Sequence, residues 1–325
     1  MIASIFVYES RSFDPYQNLA VEEYLLQNLR EDQCILYLWQ NQNTVVIGRN
    51  QNPWKECRVT LLEQEEGHLA RRLSGGGAVF HDLGNLNFTF ILPQTEYNLD
   101  RQLTVIQNAV ESLGITTERS GRNDVLAMGR KFSGNAFYKN GNQAYHHGTL
   151  LVAADMEKLG RYLNPSKAKL KAKGVDSVRS RVVNLQELNP SVTVDSLKIA
   201  LRDAFSGVYG LPAEELSPSW LDMTMVGQLA DRNRSWQWNY GQKLPFSFAC
   251  GERYFWGDIQ IHLQVERGVI QHAKIYSDAM EGELIPQWEA RLTGCRFQRQ
   301  YLEAALNRGI QPEQDLLNLL LQNLA

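Results

Sequence analysis

The stretch RRLSGGGAVFHD, residues 71–82, places three consecutive glycines between two arginines and a histidine–aspartate pair. Glycines expose backbone N–H groups and let a ligand approach the main chain closely. Such a loop can hold a phosphate or a carboxylate, and the arginines add positive charge. The G-x-x-x-x-G-K-[ST] spacing of a P-loop is missing. A plain glycine turn between two strands is the alternative, but the flanking charged residues favour a ligand site.

The overall composition is typical of a globular chain. The 325 residues are 43% hydrophobic and 21% charged, with 33 Lys or Arg, 36 Asp or Glu and a net charge of −3. A balance so close to zero argues against binding nucleic acid or an anionic membrane. The four cysteines form no C-x-x-C pair, and the N-terminal residues show no signal peptide or membrane span. We expect a cytoplasmic protein with reduced thiols, and a monomer.

Apolar periodicity and turn residues predict the elements of the first part of the chain. Asp14 and Pro15 form an N-cap and first-turn pair ahead of a helix. The apolar runs 34–39 and 44–48 flank an Asn-Gln-Asn segment and predict a β-hairpin. Residues 85–92 alternate with period two, which predicts a half-buried strand. The other predicted elements are a strand at 4–8, a helix at 101–113 that ends at Gly114, antiparallel strands within 125–152, and helices near 155–162 and 196–206.

A second unit is predicted to begin near Pro245, with strands first and helices after them. Its predicted strands are 254–256, 258–265 and 269–276, and its predicted helices are 283–292, 298–306 and 312–325. This order within a short span indicates a small α+β domain. The chain is also long for a single core. We therefore predict a catalytic domain at 1–244 and an accessory domain at 245–325.

A lysine and an aspartate flank a predicted turn at Gly129. Asp124 ends the segment GRND, and Lys131 begins the segment KFSG seven residues later. In a tight hairpin the two side chains can approach each other from paired strands. A lysine so placed can hold a carboxylate and stabilise the charge that develops when it attacks a phosphate. A solvated lysine beside a turn is the alternative that the segment leaves open.

Two further segments carry candidate functional residues. His146 and His147 precede an apolar run, but adjacent strand residues point to opposite faces and cannot easily share one metal ion. We expect one of them to pack in a pocket wall. Residues 161–181 hold seven Lys or Arg and one acidic residue. A solvated basic loop is one interpretation, and a lid that closes over phosphates is the other.

Together these segments closely resemble the lipoate–protein ligase family. The matching segments are TVVIGR and QNPWKEC (44–57), RR-x-SGGGAVFHDLGN (71–85), SGRND (120–124), RK-x-SG (130–134), HHGTLL (146–151), YLNP (162–165) and KG-x-x-SVRSRV-x-NL (173–185). The resemblance implies an α/β (α+β) fold. It consists of a large catalytic domain of mixed, mainly antiparallel sheets with flanking helices, like biotin and lipoate ligases, and a small C-terminal α+β domain.

The resemblance also implies a reaction and its partners. Lipoic acid, with octanoate as a related substrate, attacks ATP·Mg²⁺ to give lipoyl-adenylate and pyrophosphate. The lipoyl group then passes to a lysine of a lipoyl domain in a 2-oxoacid dehydrogenase complex, or of glycine-cleavage H protein. No tightly bound prosthetic group is implied. Asp124 is the candidate contact to the magnesium ion, and no further protein metal ligand is implied.

Site residues follow from the same resemblance, position by position. Lys131 is implied as the catalytic residue, contacting the lipoyl carbonyl and the adenylate phosphate. The implied ATP- or adenylate-binding residues are Arg72, Gly75, Gly76, Gly77, Ala78, Val79, Phe80, Asp124, Lys131, Lys173, Gly174 and Arg179. The implied lipoyl-pocket residues are Ser74, His81, Gly134, His147 and Gly148.

Three other functions compete with this one. An octanoyltransferase moves an acyl group between carriers without ATP and uses a cysteine, whereas no cysteine lies between Cys57 and Cys250 here. A biotin ligase would activate biotin in place of lipoate. A lipoyl-binding module without catalysis would form no AMP from ATP and lipoate.

Overall fold

The computed structural model describes residues 1–121, 124–164, 182–240, 248–306 and 309–323. Its strands are β1 (Ser4–Glu9), β2 (Gln33–Trp39), β3 (Thr44–Ile47), β4 (His68–Arg71), β5 (Val79–His81), β6 (Asn85–Pro93), β7 (Glu118–Ser120), β8 (Asp124–Ala127), β9 (Arg130–Asn140), β10 (Gln143–Leu151), β11 (Ala213–Glu215), β12 (Phe248–Tyr254), β13 (Gly257–Glu266) and β14 (Val269–Ser277).

Helices connect and cover these strands. They are α1 (Pro15–Gln27), α2 (Pro53–Glu56), α3 (Val59–Gln64), α4 (Leu99–Ser112), α5 (Met156–Tyr162), α6 (Leu185–Leu188), α7 (Val194–Tyr209), α8 (Met223–Arg234), α9 (Trp236–Tyr240), α10 (Leu284–Leu292), α11 (Arg299–Ala305) and α12 (Gln311–Gln322). Within the described residues, no helix has the length and apolar character needed to cross a membrane.

Three sheets organise the part of the chain that the structure describes. The largest has eight strands in the order β11-β1-β2-β6-β10-β9-β8-β7. β1 pairs in parallel with β2 and β11, and the remaining pairs of this sheet are antiparallel. A small sheet has the order β4-β3-β5, and the third has the order β12-β13-β14. This mixed, mainly antiparallel architecture with flanking helices confirms the predicted fold class.

Helices cover both faces of the large sheet. Along β2, Leu36 joins a buried cluster with residues of α4 and α7, whereas Tyr37 joins a cluster with residues of α1 and α8. β6 is consequently buried along its whole length, and the prediction of a half-buried strand at 85–92 was wrong. The alternation in its sequence has another cause. A polar residue of this strand, Thr89, faces Glu22 of α1 and donates to it at 2.7 Å, so it does not face solvent.

The predicted hairpin at 34–48 was also wrong, although both of its strands exist. β2 pairs with β1 and β6 in the large sheet, whereas β3 pairs with β4 and β5 in the small one. Asn41 between them is fully buried and hydrogen-bonded to other parts of the chain. Local turn chemistry predicts a reversal of the chain, but it does not indicate whether the next strand returns to the same sheet.

Most other predictions from periodicity are confirmed. The Asp14 carboxylate accepts from the backbone N–H groups of Tyr16 and Gln17 and so caps α1. α4 is followed by Gly114 in a left-handed conformation with φ +80°. β8, β9 and β10 form the expected consecutive antiparallel strands, and α5 and α7 lie where helices were predicted. The helix α8 was not predicted.

The C-terminal residues form a sheet with three helices and their own buried cluster. Trp288 is fully buried at its centre, among residues of β13, β14 and the helices. The helices α10, α11 and α12 match the predicted ones to within a few residues. The predicted strand at 254–256 was wrong, because the first strand is β12 and residues 255–256 form the turn that follows it. The proposed boundary at 244/245 lies outside the described residues.

Candidate active site

A row of side-by-side residues crosses five neighbouring strands of the large sheet. The register runs from Trp39 on β2 through Asn87, Thr149 and Gly134 to Asp124 on β8. Four strand spacings separate its ends, a span of about 19 Å. All five residues line one cavity of about 680 Å³. A cavity of this size and length suits an elongated ligand.

Lys131 reaches this row because β9 carries a β-bulge. Asp124 lies opposite Gly134, but Leu126 lies opposite Lys131, so one extra residue of β9 is accommodated between them. The irregularity turns Lys131 to the face that Gly134 shares, as bulges near functional sites often do. Lys131 Nζ donates to Asp124 Oδ1 at 2.6 Å, and both side chains are mostly buried. The predicted approach of these two residues is confirmed.

Arg72 holds the glycine loop in place through hydrogen bonds. Its guanidinium donates to Ser74 Oγ at 2.9 Å and to the carbonyls of Gly75 and Gly77 at 2.7 and 2.8 Å. Burial lowers the pKa of this guanidinium to about 10, although Tyr145 and Glu22 oppose the shift. Arg72 therefore stays protonated at neutral pH and fixes the loop in one conformation.

Arg71, its neighbour, points to the opposite side. It donates to the backbone carbonyls of Gln51 and Trp238 at 2.8 and 3.0 Å, and it is not among the described residues that line the cavity. The interpretation that both arginines add charge to the ligand site holds only for Arg72. Adjacent strand residues alternate between faces, so only one of the pair can face the ligand.

A buried carboxylate orients one of the two histidines. His147 Nδ1 lies 2.8 Å from Glu22 Oε1, and its Nε2 lies 2.8 Å from Ser74 Oγ. His146 points to the other face, where its Nε2 lies 2.9 Å from Asn135 Oδ1. The expectation that the two rings face opposite sides and that one lies in the pocket wall is confirmed. Sequence reasoning missed Glu22, which is only 1% exposed.

His81 closes the Trp39 end of the cavity. Its ring meets the Trp39 ring edge to face, with centroids 6.0 Å apart. Burial, together with the nearby Arg72 and His147, lowers the pKa of His81 to about 3. This imidazole is therefore neutral at any physiological pH. His81 therefore adds no positive charge to the Trp39 end of the cavity.

The C-terminal unit supplies part of the wall, which sequence reasoning missed. Arg253, Asp278 and Met280 line the cavity, and Arg253 Nη1 pairs with Asp278 Oδ2 at 3.0 Å. The Gly76 N–H donates to the carbonyl of Ala279 at 3.0 Å. These residues carry no recognisable motif, so only the fold brings them to the glycine loop.

Most of the residues expected at the site line the cavity. They are Arg72, Gly76, Gly77, Ala78, Val79, His81, Asp124, Lys131, Gly134, His147 and Gly148. Of the others, Ser74 lies behind the wall against His147, Gly75 contacts the C-terminal unit, and Phe80 packs on Tyr162. Lys173, Gly174 and Arg179 lie outside the described residues, as do residues 165–181 of the segment 161–181 in which a lid was predicted. Among the described residues, no group of three or more His, Cys, Asp or Glu side chains could hold a metal ion.

Comparison with known proteins decides the family. Residues 14–206 match the sequence model of the lipoyl protein ligase A/B catalytic domain. The chain belongs to the lipoyl protein ligase A/B family. Residues 243–323 match a second model, the bacterial lipoate protein ligase C-terminus. As a member of this family, the protein is an enzyme of the lipoate–protein ligase class.

Solved structures of lipoate ligases share the fold. P. falciparum LipL1, solved in complex with lipoate, is 26% identical with a TM-score of 0.87, and the match covers 98% of this chain and 100% of that one. A bi-partite lipoate protein ligase from T. acidophilum is 24% identical with a TM-score of 0.65, covering 76% and 100%. A lipoate-protein ligase A bound with ATP is 23% identical with a TM-score of 0.64, covering 74% and 99%.

Proposed function

We propose that the protein uses ATP to activate lipoate as lipoyl-adenylate and then transfers the lipoyl group to a lysine of a carrier protein. The observation that carries this proposal is the position of Lys131. Its ammonium group lies against Gly134 and beside Asp124 on the floor of a long cavity. A cation at that point can hold a carboxylate and a phosphate together, which is what formation of a mixed anhydride requires.

Two substitutions make up the reaction. In the first, a carboxylate oxygen of lipoate attacks the α-phosphorus of ATP, the bond to the bridging oxygen breaks, and pyrophosphate leaves. In the second, the neutral amine of the carrier lysine attacks the lipoyl carbonyl carbon, the C–O bond to AMP breaks, and the amine proton passes to solvent. Magnesium enters as part of the ATP substrate. Lys131 stabilises the negative charge that develops in each step.

The row of residues from Trp39 to Asp124 provides separate positions for the nucleotide and for the acyl tail. With the carboxyl group at Lys131, the nucleotide lies toward Asp124 and the glycine loop, whose backbone from Gly77 to Val79 lines the cavity. The acyl tail runs the other way, toward Trp39 and His81. Leu19 and Val46 also line the cavity, and apolar side chains of this kind favour an acyl chain over a polar ligand.

The contact between the C-terminal unit and the glycine loop supports a role for this unit in activation. The Ala279 carbonyl oxygen accepts a hydrogen bond from the Gly76 N–H. A methyl group on Gly75 would fall 2.3 Å from the same oxygen. We propose that this close contact helps to exclude water, which would hydrolyse an adenylate. Transfer needs room for a carrier domain, so we propose that the unit moves away from the glycine loop by a hinge motion for the second step.

The carrier is proposed from chemistry and from one relative. The acceptor must present a lysine on a small domain able to reach the open cavity. The T. acidophilum ligase was studied with its E2 lipoyl domain. A lipoyl domain of a 2-oxoacid dehydrogenase complex, or glycine-cleavage H protein, is therefore the acceptor that we propose here.

The cysteines do not support the competing octanoyltransferase function. Cys34 and Cys57 are buried, and burial raises the pKa of each thiol to about 12. Cys250 and Cys295 lie in the C-terminal unit, and burial also raises their pKa values. None of the four is among the described residues that line the cavity. A thioester intermediate needs an accessible thiolate, and these thiols do not provide one.

One pair of assays tests the proposal. Pyrophosphate release is measured with ATP, Mg²⁺ and either lipoate or biotin, and AMP formation is followed in parallel. We expect release with lipoate and none with biotin. Release with biotin alone would indicate a biotin ligase. Lipoate binding without any AMP formation would indicate a non-catalytic binding module.

A further inference from the structure

The C-terminal unit presents an arginine to the cavity. Arg253 on β12 lines the wall, and its side chain is 23% exposed. Its Nη1 donates to Asp278 Oδ2 at 3.0 Å. The carboxylate of Asp278 is itself held, because its Oδ1 accepts from the Asp258 N–H at 2.7 Å. One end of the Arg253 guanidinium is therefore fixed by an oriented partner.

Arg253 lies on the face of the C-terminal sheet that is turned toward the part of the chain carrying the glycine loop. On β13, Ile259 and Leu263 join the buried cluster of the C-terminal unit. Side chains alternate along a strand, so Asp258 points to the opposite face. There Asp258 shares a small interface pocket with Gln51. Arg253 is paired with Asp258 in the antiparallel register, and residues paired in this way share a face.

The guanidinium of Arg253 has donors available for a ligand. Within the described part of the chain, its Nε and Nη2 have no hydrogen-bond partner, and neither is among the buried atoms that lack one. Both nitrogens therefore have accessible surface. They form one edge of the planar guanidinium, and such an edge binds two oxygens of a phosphate side by side.

Neighbouring contacts place this guanidinium beside the glycine loop. Asp278, which holds Arg253, is followed by Ala279, whose carbonyl oxygen accepts from the Gly76 N–H at 3.0 Å. Met280 touches the same loop, since a methyl group on Gly76 would fall 3.1 Å from the Met280 sulfur. Arg253 consequently lies next to the loop at which the proposed function places the nucleotide.

The other cations of the cavity wall are already engaged. Among the described lining residues, the lysines and arginines are Arg72, Lys131 and Arg253. All three guanidinium nitrogens of Arg72 donate to protein oxygens. Lys131 pairs with Asp124 and is the proposed contact to the lipoate carboxylate and the α-phosphate. Within this set, Arg253 is the cation that remains for the two outer phosphates of ATP.

We propose that Arg253, oriented by Asp278, binds the β- and γ-phosphates of ATP and so joins the C-terminal unit to the triphosphate during activation. The inference rests on the proposed function, because it takes the nucleotide to lie along the glycine loop. When the bond from the α-phosphorus to the bridging oxygen breaks, both outer phosphates leave as pyrophosphate. Lipoyl-adenylate then retains no oxygen that Arg253 held, so the contact that favours the closed arrangement is lost once activation is complete.

Calorimetric binding to the full-length protein with Mg²⁺ tests this contact. One probe is α,β-methylene-ATP, which has the outer phosphates but cannot release pyrophosphate. The other is a sulfamoyl analogue of lipoyl-adenylate, which has no outer phosphates. We expect Arg253→Gln to weaken binding of the ATP analogue about tenfold to a hundredfold, the usual effect of losing hydrogen bonds to a charged group. Binding of the sulfamoyl analogue should be unchanged. Arg253→Lys keeps the charge but not the planar edge and should recover part of the loss.

Two further variants make the result decisive. Arg299→Gln on α11 is the matched control, because its guanidinium pairs with Glu303 of the same helix, and it should leave both affinities unchanged. Arg253→Gln combined with Asp278→Asn removes the uncompensated carboxylate and should show the same selective loss. Wild-type affinity of Arg253→Gln for the ATP analogue would overturn the proposal. An equal loss for both analogues in the double variant would indicate a structural role and would also overturn it. Wild-type protein that fails to bind one or both analogues would contradict the proposed function itself.

Hydrogen exchange at the Gly76 N–H tests the link between the triphosphate and the C-terminal unit, since this N–H donates to Ala279. At saturating α,β-methylene-ATP, exchange should slow in the wild-type protein and in Arg299→Gln. In Arg253→Gln, also at saturation, the slowing should be absent or much smaller. Equal slowing in Arg253→Gln and wild-type protein would show that Arg253 does not join the unit to the triphosphate.

Discussion

The side chain of Lys131 lies across the Cα of Gly134, so that a methyl group there would fall 2.5 Å from Nζ and 2.7 Å from Cε. The glycine of the RK-x-SG segment therefore has a steric purpose. It is the floor on which the lysine rests, beside the Asp124 carboxylate. Activation should depend on this glycine even though it contributes no functional group of its own.

Replacing Gly134 with alanine should displace the Lys131 ammonium group and lower lipoate-dependent pyrophosphate release by about 10²-fold, because small misplacements of a catalytic group are that costly. Gly160→Ala in α5 is the matched control, since its Cβ would meet nothing within 4 Å. It should release pyrophosphate at the wild-type rate. Equal rates for both variants would remove the role given to Gly134.

Lys131→Ala should lower pyrophosphate release by about 10²–10³-fold, the usual loss when one preorganised donor is removed. The change leaves Asp124 without this cation in a half-buried site, so folding is checked by thermal unfolding. Lys131→Ala combined with Asp124→Asn removes the uncompensated carboxylate and should restore stability but not activity. Recovery of activity in the double variant would show that charge balance, and not the lysine, is what the site needs.

Gly75→Ala should weaken the contact between the C-terminal unit and the glycine loop. A methyl group there would fall 2.3 Å from the Ala279 carbonyl oxygen and 2.7 Å from that of Met280. In the wild-type protein the Gly76 N–H donates a hydrogen bond to the Ala279 carbonyl oxygen. We expect faster hydrogen exchange at this N–H in the variant. ATP-dependent activation should fall more than transfer from preformed lipoyl-adenylate. If both half-reactions fall in equal proportion, the proposed hinge has no support.

Replacing all four cysteines with serine should leave substantial ligase activity. Burial raises the pKa of Cys34 and Cys57 to about 12, so neither thiol is ionised at neutral pH. Cys34 is fully buried, so some stability is expected to be lost. The measurement is lipoyl transfer by the folded fraction. A well-folded protein without AMP formation or transfer would argue for a covalent mechanism.

The sequence predicts the elements of this protein better than it predicts their arrangement. Hydrophobic periodicity locates α4 and turn residues locate β9 and β10, because each signal depends only on its own part of the chain. Assignment of β2 and β3 to different sheets depends on contacts with β1 and β4 that lie far away in sequence. No local pattern contains that information.

The same contrast holds for the site, where the sequence predicts several residues but not how they are brought together. The glycine loop, Lys131 and His147 are visible as motifs because their chemistry restricts residue type. Regular strand alternation would place Lys131 and Gly134 on opposite faces, and only the β-bulge in β9 brings them together. Glu22 lies on a helix whose buried face looks unremarkable in sequence. Arg253 comes from a separate unit, so its place in the cavity wall depends wholly on how the two parts of the chain pack.

The central claim is that this chain forms lipoyl-adenylate and passes the lipoyl group to a carrier lysine. Intact-mass spectrometry of a lipoyl domain incubated with the full-length protein, ATP, Mg²⁺ and lipoate tests it most directly. We predict a gain of one lipoyl group on a single lysine, with AMP formed in equal amount, and no gain when ATP is omitted. An unmodified domain with active, folded protein, or modification that proceeds without ATP, would contradict the account.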